Sequence, residues 1–294
     1  MRVFVTGASG HIASALVPEL IAAGHDVVGL ARSDQSADVL TAMGAEVRRG
    51  GLRDLDALGE AAATADAVVH LAFDHAAVAA GKFPEAVATD LAAVQALGQA
   101  LVGTGKALLG IGLTRTGNPE RDATIDANPR SAVARAINDY AKRDVRTVLV
   151  AIPPVTHSAR DRHGFIPTLI AAARRTGVSA YVGEGANRWP AGHVLDVAHL
   201  YRLALANAPA GSQLFAATEA GIPVREIADT IGRHLELPTQ SISAAEAAEH
   251  FTGFPFIALD ITMDNTGTRQ LLDWTPVHPG LLADLDDGHY FATR

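Results

Sequence analysis

With 294 residues, 48% of them hydrophobic and 19% charged, the chain has apolar material for one large domain or a domain with a subdomain, and too much for a disordered chain. A formal net charge of −8 leaves no positive excess for a nucleic-acid backbone, and the absence of cysteine excludes disulfides, a thiolate nucleophile and Cys-ligated zinc. No apolar run approaches the roughly 20 residues of a membrane span, and the first residues lead into a glycine turn rather than a signal peptide, so a cytoplasmic, small-molecule enzyme is the expectation.

Short β-branched runs alternate with longer Ala/Leu-rich segments at helical spacing, the pattern of a parallel sheet covered by helices. Strands are predicted at residues 2–6, 26–30, 46–49, 67–72, 107–113 and 146–152, with helices at 13–23, 36–43, 55–63, 83–102 and 131–143. After Pro153 prolines and glycines scatter, and helices are predicted near 166–176, 195–207, 224–235 and 244–251. The expected fold is α/β: a Rossmann-type doubly wound parallel sheet with a small C-terminal substrate-binding cap. Residues 1–155 form the dinucleotide-binding core in this reading. Residues 156–294 are mainly cap, with segments returning to the core, because neither a linker nor a repeat marks off an independent domain.

The strand at 2–6 ends in Thr6-Gly7-Ala8-Ser9-Gly10-His11-Ile12-Ala13. Gly7 permits a tight turn, Gly10 lets the backbone approach a pyrophosphate, and Ala13 is small where the helix meets the strand. The anion would rest on the helix N-terminal amides, which makes Gly7, Ser9, Gly10, His11 and Ile12 cofactor candidates. About 20 residues further on, a site for NAD presents an acid to the ribose 2′-hydroxyl. Here Arg32 and Ser33 stand instead, and an arginine fork pairs with a 2′-phosphate, so NADP(H) is favoured; Asp34 next door leaves NAD(H) open.

With Gly29-Leu30-Ala31-Arg32-Ser33, Gly50-Gly51-Leu52-Arg53-Asp54 and Val68-Val69-His70-Leu71-Ala72-Phe73, the chain resembles the extended or atypical short-chain dehydrogenase/reductases, the NAD-dependent epimerase/dehydratase family. Ile152-Pro153-Pro154-Val155, the run from Trp189 to Ala198, Trp274-Thr275-Pro276 and Pro279-Gly280-Leu281 extend the resemblance over nearly the whole length. It implies that Leu71, Ala72 and Phe73 line the cofactor and that Pro153, Pro154 and Val155 pass beside the nicotinamide. Gly51 and Leu52 fall where the family often has Asp-Leu, which limits any adenine contact to backbone and the leucine. The resemblance also likens the helices at 83–102 and 131–143 to the family's dimer-forming pair, so a homodimer is a possible partner state.

The family's Tyr-x-x-x-Lys pair puts a phenol and an amine on one helix face. Each of the four tyrosines fails the test: Tyr140 is followed at i+4 by Asp144, Tyr181 by Gly185, Tyr201 by Leu205 and Tyr290 by Arg294. Alignment with the family puts Ser131 at the tyrosine place and Arg135 at the lysine place, where Arg135 can hold ribose hydroxyls but cannot shuttle a proton. Tyr140 lies about two and a half turns beyond Ser131, pointing away and into packing. Thr114 is the hydroxyl closest to the family's assisting Ser/Thr. Among the 12 histidines, His75, His157 and His163 are alternative proton sources, His157 being the one carried as a catalytic candidate. His193 and Asp196 read as a structural pair, and no zinc-ligand spacing appears, so no metal is expected. The leading expectation is an NADP(H)-dependent reductase of a small carbonyl, enone or imine. A non-redox NADP-binding sensor, or an isomerase or lyase on the same fold, stands as the alternative.

Overall fold

The computed structural model describes residues 1–113, 123, 126–252 and 254–292. Two compact units divide the chain: the first holds Met1–Ile152, Ala198–Phe215 and Gly267–Trp274, and the second holds Pro153–Val197, Ala216–Thr266 and Thr275–Arg294.

The first unit is built on a seven-stranded sheet of β1 (Arg2–Thr6), β2 (Asp26–Ala31), β3 (Glu46–Arg49), β4 (Ala67–His70), β5 (Ala107–Gly112), β6 (Arg146–Ala151) and β10 (Ser212–Phe215). Every pairing is parallel, in the order β10-β6-β5-β4-β1-β2-β3. Sheet order reverses between β1 and β4, which makes the carboxyl ends of those two strands the switch point where such sheets bind ligands. Helix α1 (Ala13–Ala22) follows β1 and stops at Gly24, whose φ of +80° suits a left-handed cap. Helix α2 (Asp34–Ala42) starts at Ser33, whose hydroxyl accepts the Ser36 amide.

Helices α3 (Leu55–Thr64), α5 (Phe83–Leu101) and α6 (Ser131–Asp139) pack side by side on one face, and α4 (His75–Ala79) leads into α5. Leu58, Val94, Leu97 and Ile137 from these helices close over Phe4, Val68, Leu108 and Leu149 of the strands. Burial on both faces explains why the central strands read as continuous apolar runs rather than alternating ones. The 3-10 turn Tyr140–Arg143 extends α6. Tyr140 is buried, its hydroxyl donates to the Gln95 carbonyl at 2.9 Å, and its ring lies against Gly98 of α5; the expected packing role is what is found.

The second unit carries a three-stranded sheet in the order β11-β9-β7, with β7 (Val155–His157), β9 (Arg188–His193) and β11 (Glu219–Pro223), and a parallel pair of β8 (Ser179–Val182) and β12 (Thr239–Ile242). Its core gathers Ile166, Leu169 and Ile170 of α7 (Phe165–Thr176), Trp189, and Ile227 and Ile231 of α9 (Val224–Leu235). Leu281 and Leu285 of α12 (Leu281–Asp286) complete it, while α10 is Ala244–His250. Helix α8 (Val194–Asn207) begins in the second unit and continues in the first, which also takes most of α11 (Thr266–Leu272). No helix among the described residues is long and apolar enough to cross a membrane.

Candidate functional site

The glycine turn sits at the carboxyl end of β1. Gly7 has φ +65°, and a Cβ there would lie 2.7 Å from the Ala72 nitrogen, so the position admits only glycine on both counts. The Gly10 amide closes the turn onto the Gly7 carbonyl at 2.9 Å. Ile12, the N-cap of α1, offers no side-chain acceptor to the first-turn amides, and the small Ala13 is buried against the sheet. Ser9 and Gly10 are exposed, His11 and Ile12 partly so. A backbone cradle that a Cβ would fill, opening onto helix amides without a side-chain cap, fits the pyrophosphate of a dinucleotide.

At the end of β2, Arg32 and Ser33 are exposed. The Ser33 hydroxyl is occupied as the cap of α2. Asp34 is ion-paired with Arg49 at 2.5 Å. The Gly51 amide donates to Asp54 Oδ2 at 2.6 Å and its carbonyl accepts the Asp54 amide. Leu52 packs against the core.

Beyond β4 the Leu71 amide donates to the Thr6 carbonyl and the Ala72 amide to Thr6 Oγ1 at 3.3 Å. Thr6 Oγ1 then pairs with His70 Nδ1 at 2.8 Å, and His70 Nε2 with Asp90 Oδ1 at 2.8 Å. Thr6, His70 and Asp90 are all buried. An ionised Asp90 carboxylate can only accept, so His70 donates to it from Nε2, and a neutral ring with its proton there takes the Thr6 hydroxyl proton at Nδ1. Phe73 packs edge-on to His75 and Phe83, and the Arg130 guanidinium lies over its ring, 4.1 Å from the centroid. Burial, and secondarily the Arg130 charge, holds His75 below the ordinary histidine value.

Ser131 and Arg135 open α6 and line, with Gly112, Asn138 and Phe215, a cavity of about 180 Å³. Ser131 is buried and its hydroxyl donates to the Asp126 carbonyl at 2.9 Å, whereas Arg135 is exposed. Asn138 adds a buried side-chain oxygen with no hydrogen-bond partner among the described residues. Thr114 lies outside the described residues.

In the second unit, Pro153 and Pro154 lead into β7, where Val155 is buried. His157 is fully buried, its Nδ1 is 2.7 Å from Asp284 Oδ2, and its Nε2 has no hydrogen-bond partner among the described residues. His193 packs edge-on to His157 and stacks on His278 at 4.8 Å. Burial, followed by the neighbouring His157 charge, pushes the His193 pKa down to about 4. The pairing of His193 with Asp196 gives way to another arrangement. Asp196 takes His278 Nδ1 at 2.8 Å and the Val277 and His278 amides, and His193 Nδ1 accepts the Leu195 amide. His163 is exposed just ahead of α7. Among the described residues no three His, Asp or Glu side chains are placed to hold a metal.

The first unit thus brings together the glycine turn, Leu71–Phe73 and the start of α6. His70, Asp90, Arg130 and Asn138 were not singled out from sequence. Asp90 did leave a signal, since it falls on the buried stripe of α5 with Val87, Val94 and Leu97.

Residues 3–109 match the family profile described as the NAD dependent epimerase/dehydratase family. An uncharacterized protein of Schizosaccharomyces pombe is 40% identical over 99% of this chain and 100% of its own length. The 4-hydroxy-2-methyl-3-oxo-4-farnesyl-3,4-dihydroquinoline-1-oxide ketoreductase of Stigmatella aurantiaca is 28% identical over 85% of this chain and 79% of that protein. Among solved structures, the UDP-glucuronic acid 4-epimerase of Bacillus cereus, in complex with UDP-glucuronic acid and NAD, superposes with a TM-score of 0.75. It covers 99% of this chain and 98% of its own at 16% identity, a likeness of fold.

Proposed function

Because the chain belongs to the NAD dependent epimerase/dehydratase family and is an enzyme of the short-chain dehydrogenase/reductase type, we propose that it reduces a small carbonyl, enone or imine with NADP(H). The end of β2 carries the cofactor preference. Arg32 is exposed with no ion-pair partner among the described residues, while the one adjacent acid, Asp34, is held by Arg49. A carboxylate so engaged competes poorly for a ribose hydroxyl, and a free guanidinium suits a 2′-phosphate. The glycine cradle takes the pyrophosphate in this reading.

When bound, the nicotinamide cofactor supplies the hydride chemistry. The residues of α6 supply position rather than acid. Arg135 offers donors to ribose hydroxyls and keeps its charge, and the Ser131 proton is engaged by the Asp126 carbonyl. A substrate suited to such a site needs little protonation, as an iminium or conjugated acceptor does, or takes its proton from water. The ketoreductase relative supports a carbonyl-type substrate.

Titration with NADPH and NADH tests the cofactor assignment. Arg32→Ala should weaken NADPH about tenfold or more, the scale of one charge-assisted contact, and leave NADH little changed. Equal NADPH affinity in the variant defeats it. A panel of aldehydes, ketones, enones and imines tests the redox reading, which fails if NADPH is never oxidised. The engaged Ser131 proton favours one second reading, an NADP-binding sensor, whose signature is tight binding without turnover.

A further inference from the structure

Arg130, the last residue before α6, has no part in the reading above. Its side chain is 25% exposed, one face of its guanidinium is covered by Phe73, and its nearest carboxylate oxygen, Asp90 Oδ2, stands 3.8 Å away, beyond hydrogen-bond reach. Among the described residues no acceptor takes a hydrogen bond from this group, although a guanidinium has five N–H donors. The ring of Phe73 and the nearby carboxylate hold the guanidinium in a fixed place, and its nitrogens are not fully buried, so its unused donors face the open side.

The placement has a cause. Asp90 cannot swing to meet the guanidinium, because its other oxygen is tied to His70 Nε2 and His70 is tied through Nδ1 to Thr6. On this side His75 is disfavoured in its charged form, and the neighbouring Asp74 carboxylate is turned to other groups, one oxygen accepting the Ala77 amide and the other 4.0 Å from Arg53. The buried Thr6–His70–Asp90 chain therefore fixes one carboxylate near Arg130 and leaves the guanidinium donors unspent. Phe73 adjoins Ala72, the residue against which Gly7 is packed, so Arg130 stands at the switch-point end of the sheet beside the glycine turn.

We propose that Arg130 is an oxyanion-binding residue of the first unit, taking an anionic oxygen of the ligand bound at the end of β4. Two sources share that chemistry: a phosphate of the dinucleotide, and a carboxylate on the substrate. The second source rests on the reductase reading; the first does not. Asp90 is then a positioning residue that aims the guanidinium by charge without satisfying it.

Calorimetry on the full chain separates the sources. ADP-ribose probes the phosphate arm, since it lacks both nicotinamide and 2′-phosphate and is indifferent to redox turnover and to Arg32. Oxamate, added to protein saturated with NADP⁺, probes the carboxylate arm. Arg130→Met should weaken one of the two probes at least tenfold, and Arg130→Lys, which keeps a point charge, should lose less. A loss confined to ADP-ribose assigns the phosphate, and a loss confined to oxamate assigns the carboxylate. Affinities within twofold of wild type for both probes overturn the proposal, as does wild-type protein that binds neither. Should Arg130→Met fail to fold, the Arg130→Lys series reads the same outcomes, because a guanidinium fork exchanged for an ammonium loses directed donors while the charge stays.

Discussion

His193 shows how much the fold can ask of one side chain. Wedged between His157 and His278, it has a pKa of about 4 where 6.5 is ordinary, so the folded protein holds it neutral while the unfolded chain takes up a proton first. Stability contributed by the neutral ring is therefore intact above about pH 6.5 and is lost as the pH falls towards 4, by up to about 3 kcal/mol at roughly 1.4 kcal/mol per unit. Asp284 acts in a lower window. Burial alone would raise its pKa, but the hydrogen bond and charge of His157 bring it below 3.8, so its contribution is lost only below about pH 4. His193→Asn, whose amide oxygen can still accept the Leu195 amide, should flatten the fall in melting temperature between pH 6.5 and 4.5; an unchanged slope there would count against this account. The spacing of His157, His193 and His278 in the chain gives no hint of their meeting, because β7, β9 and the segment before α12 carry them from distant places. Arg32 and the glycines are different: each lies at one strand end or in one turn, so the sequence alone could single them out as candidates. Arg130 could not, since its neighbours Phe73 and Asp90 come from other elements.

Helices α5 and α6 meet through an exchange of size. Gly98 leaves room for the Tyr140 ring, and a Cβ at that position would sit 2.3 Å from Tyr140 Cε2. The ring cannot step aside while its hydroxyl is held by the Gln95 carbonyl. Gly98→Ala should therefore destabilise the protein by about 1–3 kcal/mol through overpacking, despite alanine's better helix propensity. Thermal unfolding checks this, and the double variant with Tyr140→Leu should recover much of the loss; a single variant that melts like wild type would show that the contact relaxes freely. Elements of this kind were legible where apolar periodicity ran long. The first six strands and the helices to α5 fall within a residue or two of expectation, β4 ending at His70 instead of Ala72; α6 stops at Asp139, the expected 140–143 being a 3-10 turn, and the short α4 was not foreseen. Leu71 and Ala72 leave the ladder because their amides turn to Thr6. The strands β7 to β12 were missed: they have three to six residues each, in proline- and glycine-rich surroundings that mask a period of two.

At the scale of the molecule, the first unit is assembled from three separate stretches of chain. Its seventh strand, β10, is supplied by residues 212–215 and covers β6, which would otherwise present Val148-Leu149-Val150-Ala151 as an open, apolar edge. Net charge and composition describe the finished surface and are silent about such edges, which is why composition could exclude function classes but could not show how the sheet is finished. The order of synthesis gives this arrangement a cost. On a ribosome making about 5–20 residues per second, β6 emerges well before β10, so the growing chain passes through an interval in which its sheet has a sticky border. A fragment ending at residue 155 would be arrested in that interval. Expressed alone, it should precipitate or form higher oligomers in light scattering, whereas the full chain should not; a soluble, monomeric fragment would mean that the border is protected from within.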